Sequence, residues 1–248
     1  MDPVRGAVAV VVLVAVTFAV VAGLRLERPW LQPWAAVRAV VQLGVLSLVL
    51  GGVVTDLRWT AAFLLLMVGT ACATAHGRLR RLGPSSVPRI AATVLVAATV
   101  PVSVVFVSGA LPLVPRYLLA MGGIVVGGSM TAATLMGRAL FAALADSRGE
   151  IEAWLALGAT PRQAALEPTR RAASTALVPA TDQTRTTGLV TLPGAFVGAV
   201  FAGADVVDAA QFQVVVLVAV LCSGALTTLM FAWFFGAPRF LPAATPTT

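Results

Sequence analysis

The sequence predicts an all-α integral membrane protein with about seven transmembrane helices, its N-terminus outside and its C-terminus in the cytoplasm. Three observations carry that prediction. The 248 residues are 59% hydrophobic and only 11% charged, far outside the balance of a soluble domain. Seven apolar runs, at 7–24, 35–54, 57–75, 90–110, 117–137, about 183–203 and 211–235, match the roughly 20 residues that cross a bilayer core. The charges are asymmetric as well. All 17 basic residues are arginine. With the N-terminus outside, Arg25, Arg28, Arg78, Arg80, Arg81, Arg89, Arg138, Arg148, Arg162, Arg170, Arg171 and Arg239 fall in the cytoplasm, and only Arg5, Arg58 and Arg116 fall outside. The positive-inside rule selects that orientation.

Taken in order, the first run resembles a signal peptide in length, but no small-residue cleavage site follows it, so it is read as a helix. The second and third runs are uninterrupted. Pro101 lies inside the fourth and is expected to kink it. The fifth is rich in small residues, with Gly123 and Gly127 four apart; Gly194 and Gly198 repeat that spacing in the sixth. Such spacing lets helix backbones approach closely, within the subunit or across a dimer. Pro193-Gly194 breaks or kinks the sixth run and is a candidate gate hinge. The loops are short, so residues 1–248 are expected to form a single membrane domain with a polar, disordered tail over 238–248.

Composition excludes several functions. There is no lysine, so neither a phosphate-binding Walker loop nor a Schiff base can be built. His76, Cys72 and Cys222 are too few for a zinc site, and both cysteines sit in apolar runs as ordinary buried thiols. The net charge of +7 is taken up by topology, leaving no solvated basic face for nucleic acid.

One cytoplasmic stretch, 146–168, is punctuated unlike the rest. Ser147 and Glu150 form an S-x-x-E capping box that starts a helix at Arg148. Ile151, Trp154 and Leu155 share a face at i, i+3, i+4, flanked by Glu150 and Glu152. Gly158 is placed to stop the helix. Thr160, Pro161 and Gln163 then make a second capping box with proline at the first helical position, and Pro168 bends or ends that second helix. Ten residues give about 15 Å, too short to span. An apolar face rimmed by acids either lies on headgroups or docks in a partner's groove; the acidic rim favours a protein partner over an anionic leaflet.

Polar groups within the runs are candidates for a translocation pathway. Arg38 and Gln42 lie one turn apart; Arg38 either snorkels to the interface or bonds across helices, with Asp182 as one partner. Asp182 and Arg185 can pair on one helix face. The pair lies about 15–20 Å along a helix that starts at Arg171, or at the cytoplasmic mouth if the helix starts near Thr181. A charge held deep in the membrane is a functional candidate; an ion pair that supports the structure is the other reading. Ser129 and Met130 join Pro193 and Gly194 in this set. Met121, Met130 and Met136 read first as a core stripe and second as soft-metal ligands. No set of metal ligands is assigned, since Asp56, His76, Asp182, Asp205 and Asp208 are a thin and scattered group.

The stretches "RAVVQL" (38–43), "GGIVVGGSM" (122–130), "EIEAWLALGATPRQA" (150–164), "ALVPATDQTRTTGLVTLPGAFVGAVFAG" (176–203) and "AAQFQVVV" (209–216) resemble, in order, the iron-export-type (Fet-type) family of ABC permeases, to which plant aluminium-tolerance half-transporters also belong. "EAWLALGA" also resembles the E-A-A-x-x-x-G signature of ABC permeases, with Trp154 at the second alanine. The chain departs from the family at Gly128, where asparagine is usual, and has Arg185 where lysine is found. The resemblance implies a permease subunit exporting metal ions of an iron-like kind, multi-pass in a bacterial plasma membrane, and driven by a cytoplasmic ABC ATPase that holds ATP and Mg; this chain itself would bind no cofactor. Glu150, Glu152, Trp154, Leu155, Gly158, Thr160 and Pro161 would form the coupling helix and turn. Two permeases with two ATPases would close the symmetry. The alternative is an ATPase-independent channel or secondary transporter using Asp182 and Arg185. An intramembrane enzyme has no nucleophile–base constellation to support it.

Overall fold

A computed structural model describes residues 2–25 and 28–237; the expected tail at 238–248 lies outside the described residues. Among the described residues the regular structure is helical, with one isolated bridge between Thr187 and Thr191. The chain divides into two compact units, residues 1–55 and 56–248, each described by itself.

The first unit pairs α1 (Pro3–Gly23) with α2 (Leu31–Val53). Asp2 caps α1 by accepting from the Val4 N–H at 3.1 Å, and Pro3 sits where a missing N–H costs nothing. The Phe18 and Trp30 rings meet at 4.6 Å. Apolar side chains point outward all round, among them Val8, Leu13, Val40 and Leu48. Helices that are hydrophobic on every side belong in lipid. Arg38 and Gln42 are both exposed on α2.

The second unit contains α3 (Leu57–Arg78), α4 (Val87–Val107), α5 (Pro115–Asp146), α6 (Arg148–Ala156), α7 (Pro161–Ala164), α8 (Leu166–Thr186), α9 (Gly194–Phe201) and α10 (Val206–Phe235). Two short 3₁₀ turns, Arg80–Leu82 and Pro84–Ser86, join α3 to α4. The hub is α5, which packs against α3, α4, α8 and α10. Its inward residues Met121, Val125, Ala133 and Met136 are fully buried and meet Ile90 and Val94 of α4 and Phe231 of α10 in one core. The methionine stripe is therefore core packing at Met121 and Met136, and Met130 lies half-buried against it. α4 runs unbroken through Pro101.

Two sequence expectations change. Six helices among the described residues are long and apolar enough to span a membrane, not seven. The run at 183–203 is not one helix. It comprises the end of α8, an irregular segment and the eight-residue α9. Gly188 adopts φ +86° and its N–H turns back to the Thr191 carbonyl at 2.8 Å. Pro193, which lacks the N–H a continuing helix needs, becomes the N-cap of α9. The break thus begins at Thr187, six residues before the proline–glycine pair. α8 itself starts well ahead of the apolar run because its buried stripe is narrow: Pro168, Ala172 and Ala176 are buried, and Ala180 and Thr184 continue the line half-buried. The fifth run is extended as well. α5 continues nine residues past it to Asp146, reaching 32 residues, or about 48 Å, which exceeds a hydrocarbon core of about 30 Å.

Close approach is concentrated at a few small residues. A methyl group at Gly137 would stand 2.7 Å from both δ-carbons of the buried Leu79, and Gly123 lies under Met67. Gly127, Gly194 and Gly198 have open space where a Cβ would go, so their four-residue spacing does not mark a packed contact within the chain. Gly137→Val is expected to cost about 1–3 kcal/mol through overpacking, read as a lower thermal unfolding midpoint, with Leu79→Ala in the same chain restoring part of the loss.

Candidate functional site

Two places gather polar and exposed groups that the packing of the bundle does not require: the segment joining α5 to α8, and a cavity between α5, α8 and α10.

The joining segment has the predicted outline with different fastenings. α6 is nine residues long and ends at Gly158, which takes φ +90° and donates to the Leu155 carbonyl at 3.0 Å. The second capping box forms: the Gln163 N–H donates to Thr160 Oγ1 at 3.3 Å, and the Thr160 N–H donates to Gln163 Oε1 at 2.9 Å. The first does not. Ser147 makes no side-chain cap, since its hydroxyl instead accepts from Arg171 Nη2 of α8 at 2.8 Å. Ser147 ends α5 and begins α6 at once, so a single residue separates the two helices. Arg171 Nη2 also lies 4.0 Å from the Glu150 carboxylate, and Arg148 Nε donates to Glu152 Oε1 at 2.8 Å. Pro168 does not end a helix; it occupies the first turn of α8, buried, where its missing N–H is harmless.

The face expected from Ile151, Trp154 and Leu155 splits. Ile151 is 2% exposed and belongs to the bundle core, whereas Trp154 is 52% exposed and Leu157 beyond it 81%. Glu150, Glu152, Leu155, Gly158, Thr160 and Pro161 are likewise on the surface. A shallow groove lined by Glu150, Trp154, Leu157, Gln163, Leu166 and Glu167 runs along this face. α6 is thus keyed inward by one side chain and presents the others outward. At the far side of the turn, the Arg162 guanidinium sits 4.5 Å over the ring of Trp233 near the end of α10. Arg171, Arg162 and Trp233 were not among the sequence candidates; nothing in their local spacing marks contacts that depend on how α8 and α10 fold back on the segment.

The cavity has a volume of about 390 Å³. Its walls come from the Ile124–Leu135 stretch of α5, the Ala176–Thr184 stretch of α8, Pro193 with the first residues of α9, and the Gln213–Gly224 stretch of α10. Pro193 and Gly194, candidates from sequence, line it. Ser129 and Met130 do not; Ser129 is fully buried and donates to the Val126 carbonyl at 2.8 Å. Asp182 and Arg185 make no ion pair within 4 Å, and both are exposed near the end of α8, about 24–29 Å from its start at 1.5 Å per residue. The expected pairing on one helix face does not occur. Gln213, which sequence reasoning passed over, is 6% exposed in the wall, and its Oε1 accepts no hydrogen bond. Its signal was present: an amide inside an otherwise apolar run. Among the described residues no group of three or more His, Cys, Asp or Glu side chains could hold a metal ion.

The Arg162–Trp233 contact is worth about 0.5–1 kcal/mol at an exposed site. Trp233→Leu is therefore expected to raise amide exchange across residues 161–165 about two- to fivefold, measured by hydrogen–deuterium exchange, with the core of α5 unchanged.

The family model of the uncharacterised protein family UPF0014 matches residues 5–240. The chain is 34% identical over 219 residues to the UPF0014 membrane protein STAR2 of Oryza sativa subsp. japonica, covering 88% of this chain and 75% of that one. It is 30% identical over 221 residues to the "Probable iron export permease protein FetB" of Escherichia coli strain K12, covering 88% and 84%, and 32% identical over 210 residues to the protein ALUMINUM SENSITIVE 3 of Arabidopsis thaliana, covering 84% and 76%. No solved structure matches. With nearly its whole length matched and six apolar helices of spanning length, the chain belongs to the UPF0014 family of membrane proteins.

Proposed function

We propose that this chain is the membrane-spanning permease subunit of an ABC transporter that exports metal ions of an iron-like kind, powered by a separate cytoplasmic ATPase. The observation that carries the reading is the α6–α7 segment: a short helix, stopped at Gly158 and locked to the core by Ile151, with Trp154 and Leu157 left on the surface. An apolar and acidic face of that size on a membrane protein fits the groove of a protein partner. The absence of lysine supports a separate energy source, because this chain cannot build a Walker loop. The name of the Escherichia coli relative supports export of iron. That cargo comes to this chain by similarity.

In this reading the protein is a multi-pass component of a bacterial plasma membrane, N-terminus outside and C-terminus inside. α8, the irregular segment and α9 together make the crossing that the apolar run foreshadowed, a discontinuous helix beside the pathway. Two copies pair with two ATPases, the simplest closed symmetry. ATP and Mg reside on the partner. Closure of the ATPase pair pushes on Trp154, Leu155 and the Gly158–Pro161 turn. Because Ile151 and Arg171 fasten α6 to the bundle, the push reaches α5 and α8 together. The alternative, an ATPase-independent channel using Asp182 and Arg185, has less support, since those side chains are exposed and unpaired with each other.

Two variants, one double and one single, separate docking from folding. Trp154→Ala combined with Glu152→Arg is expected to lower ATP-driven transport at least tenfold in a complex co-purified with the ATPase, leaving the unfolding midpoint of the permease unchanged. Unaltered complex formation and transport would show that α6 is not the coupling element. Ile151→Ala is expected to do the opposite first, lowering stability by about 2–5 kcal/mol as a buried aliphatic truncation.

A further inference from the structure

The outward side of α8 differs from that of its neighbours. One side of α8 is covered by α5 and α10. On the other, Ser174, Val178, Thr181 and Arg185 follow at helical spacing, with Asp182 beside them, and all five are exposed. The outward side of α10, by contrast, carries Val214, Val218 and Leu229, as a lipid-facing surface should. Two measures put the charged end of the α8 face deep in the membrane on the permease reading. Asp182 and Arg185 stand about 16–21 Å along α8 from Arg171. Gln183 and Thr184 beside them share a cavity wall with Ile124, Gly127 and Gly128 of α5, about 14–20 Å from the opposite end of the bundle at Pro115. A carboxylate and a guanidinium facing lipid at that depth are costly. They do not relieve each other within the chain: although one turn apart, they make no ion pair, and neither side chain is bonded to any described residue.

We propose that this face of α8 is covered by the same face of a second copy, with Asp182 of each copy paired to Arg185 of the other. The face is self-complementary because it carries one charge of each sign, which is what a two-fold contact requires. Two copies that serve one pair of cytoplasmic ATPases share one orientation, so identical helices meet at equal depth. Asp182 and Arg185 differ in height by about 4.5 Å, within reach of an arginine side chain across two parallel helices. Ser174 and Thr181 are small enough to let the backbones approach and can bond across the contact. Reciprocal ion pairs then fix the register of two otherwise identical helices. The proposal rests on the permease reading for the depth and the shared orientation, and it names the surface through which the two permease copies meet.

The test exchanges charges between copies, using full-length chains that carry donor or acceptor fluorophores in phospholipid vesicles. Asp182→Arg leaves only cations at the contact and Arg185→Asp only anions. Each variant alone is expected to self-associate at least about tenfold more weakly than the wild type, because like charges then face each other. Mixed, the two variants place opposite charges across the contact at both positions, and energy transfer between them is expected to return to near the wild-type level. An ion pair within one chain would be broken in both variants, and mixing would restore nothing. No association of the wild type, wild-type self-association of either variant, or no gain on mixing overturns the proposal. If a charge-reversal variant does not fold, Thr181→Cys in a chain with Cys72→Ser and Cys222→Ser decides the matter. Oxidation is expected to link two copies through position 181 and not through Leu229→Cys in the same background. No link through 181 would leave the face to lipid or water and overturn the proposal, as would equal linking through both positions. ATP-driven transport by Asp182→Arg chains that do not meet through α8 would overturn this proposal and leave the permease reading standing. Rescue on mixing in chains that engage no ATPase would do the reverse.

Discussion

The packing of α8 against α5 and α10 is the constraint on which both candidate sites depend. α8 carries Glu167, Arg170, Arg171, Asp182 and Arg185 along 21 residues, too many charges for a helix alone in lipid. It holds its place because its one apolar line, Pro168, Ala172 and Ala176, is covered by neighbours. Small residues along that line let the helices lie close; on α10, a methyl at Gly224 would come within 3.2 Å of Leu177 of α8. The wall of the cavity belongs to the C-terminal half of α8, where Ala180, Gln183 and Thr184 line it. The joining segment is fixed at the N-terminal half, where Arg171 reaches Ser147.

On the proposed reading, the α6–α7 segment is a lever with a short arm. Ile151 would pass force into the core directly, and the single residue Ser147 between α5 and α6 leaves little slack. The 32 residues of α5 then run from that point to the cavity wall and past it. On the proposed reading, a displacement at Trp154 changes the distance between α5 and α8. The irregular segment between Thr187 and Pro193 can absorb the change without breaking a helical hydrogen-bond ladder. That is a mechanical reason for a broken helix at this position.

Length and apolarity alone locate α1 to α5 and α10, because a helix that faces lipid must be hydrophobic on every side. The same rule fails for α8, which is covered along one narrow line and is polar and exposed over much of the rest; counting apolar residues therefore starts that element late and merges it with α9. Caps were legible where the partner is local. Thr160 and Gln163 are three residues apart and find each other. Ser147 has the same signature with Glu150 but loses its role to Arg171, 24 residues away, a competitor that no local pattern reveals. The outward face of α6 was legible as apolar, but not its division, since only the fold decides that Ile151 enters the core and Trp154 does not. Gln213 was readable as an amide in an apolar run; that it lacks a partner follows only from the packing around it.

The central claim is that the outer face of α6 and its turn meets a cytoplasmic ATPase. A photoreactive amino acid at Leu157, 81% exposed beside the groove, tests it directly in cells that co-express the ATPase, with Leu189, 92% exposed beyond the end of α8, as the comparison position. An ATPase-linked product is expected from position 157 and none from position 189. Crosslinking of position 157 to lipid alone, or equal ATPase products from both positions, would contradict it.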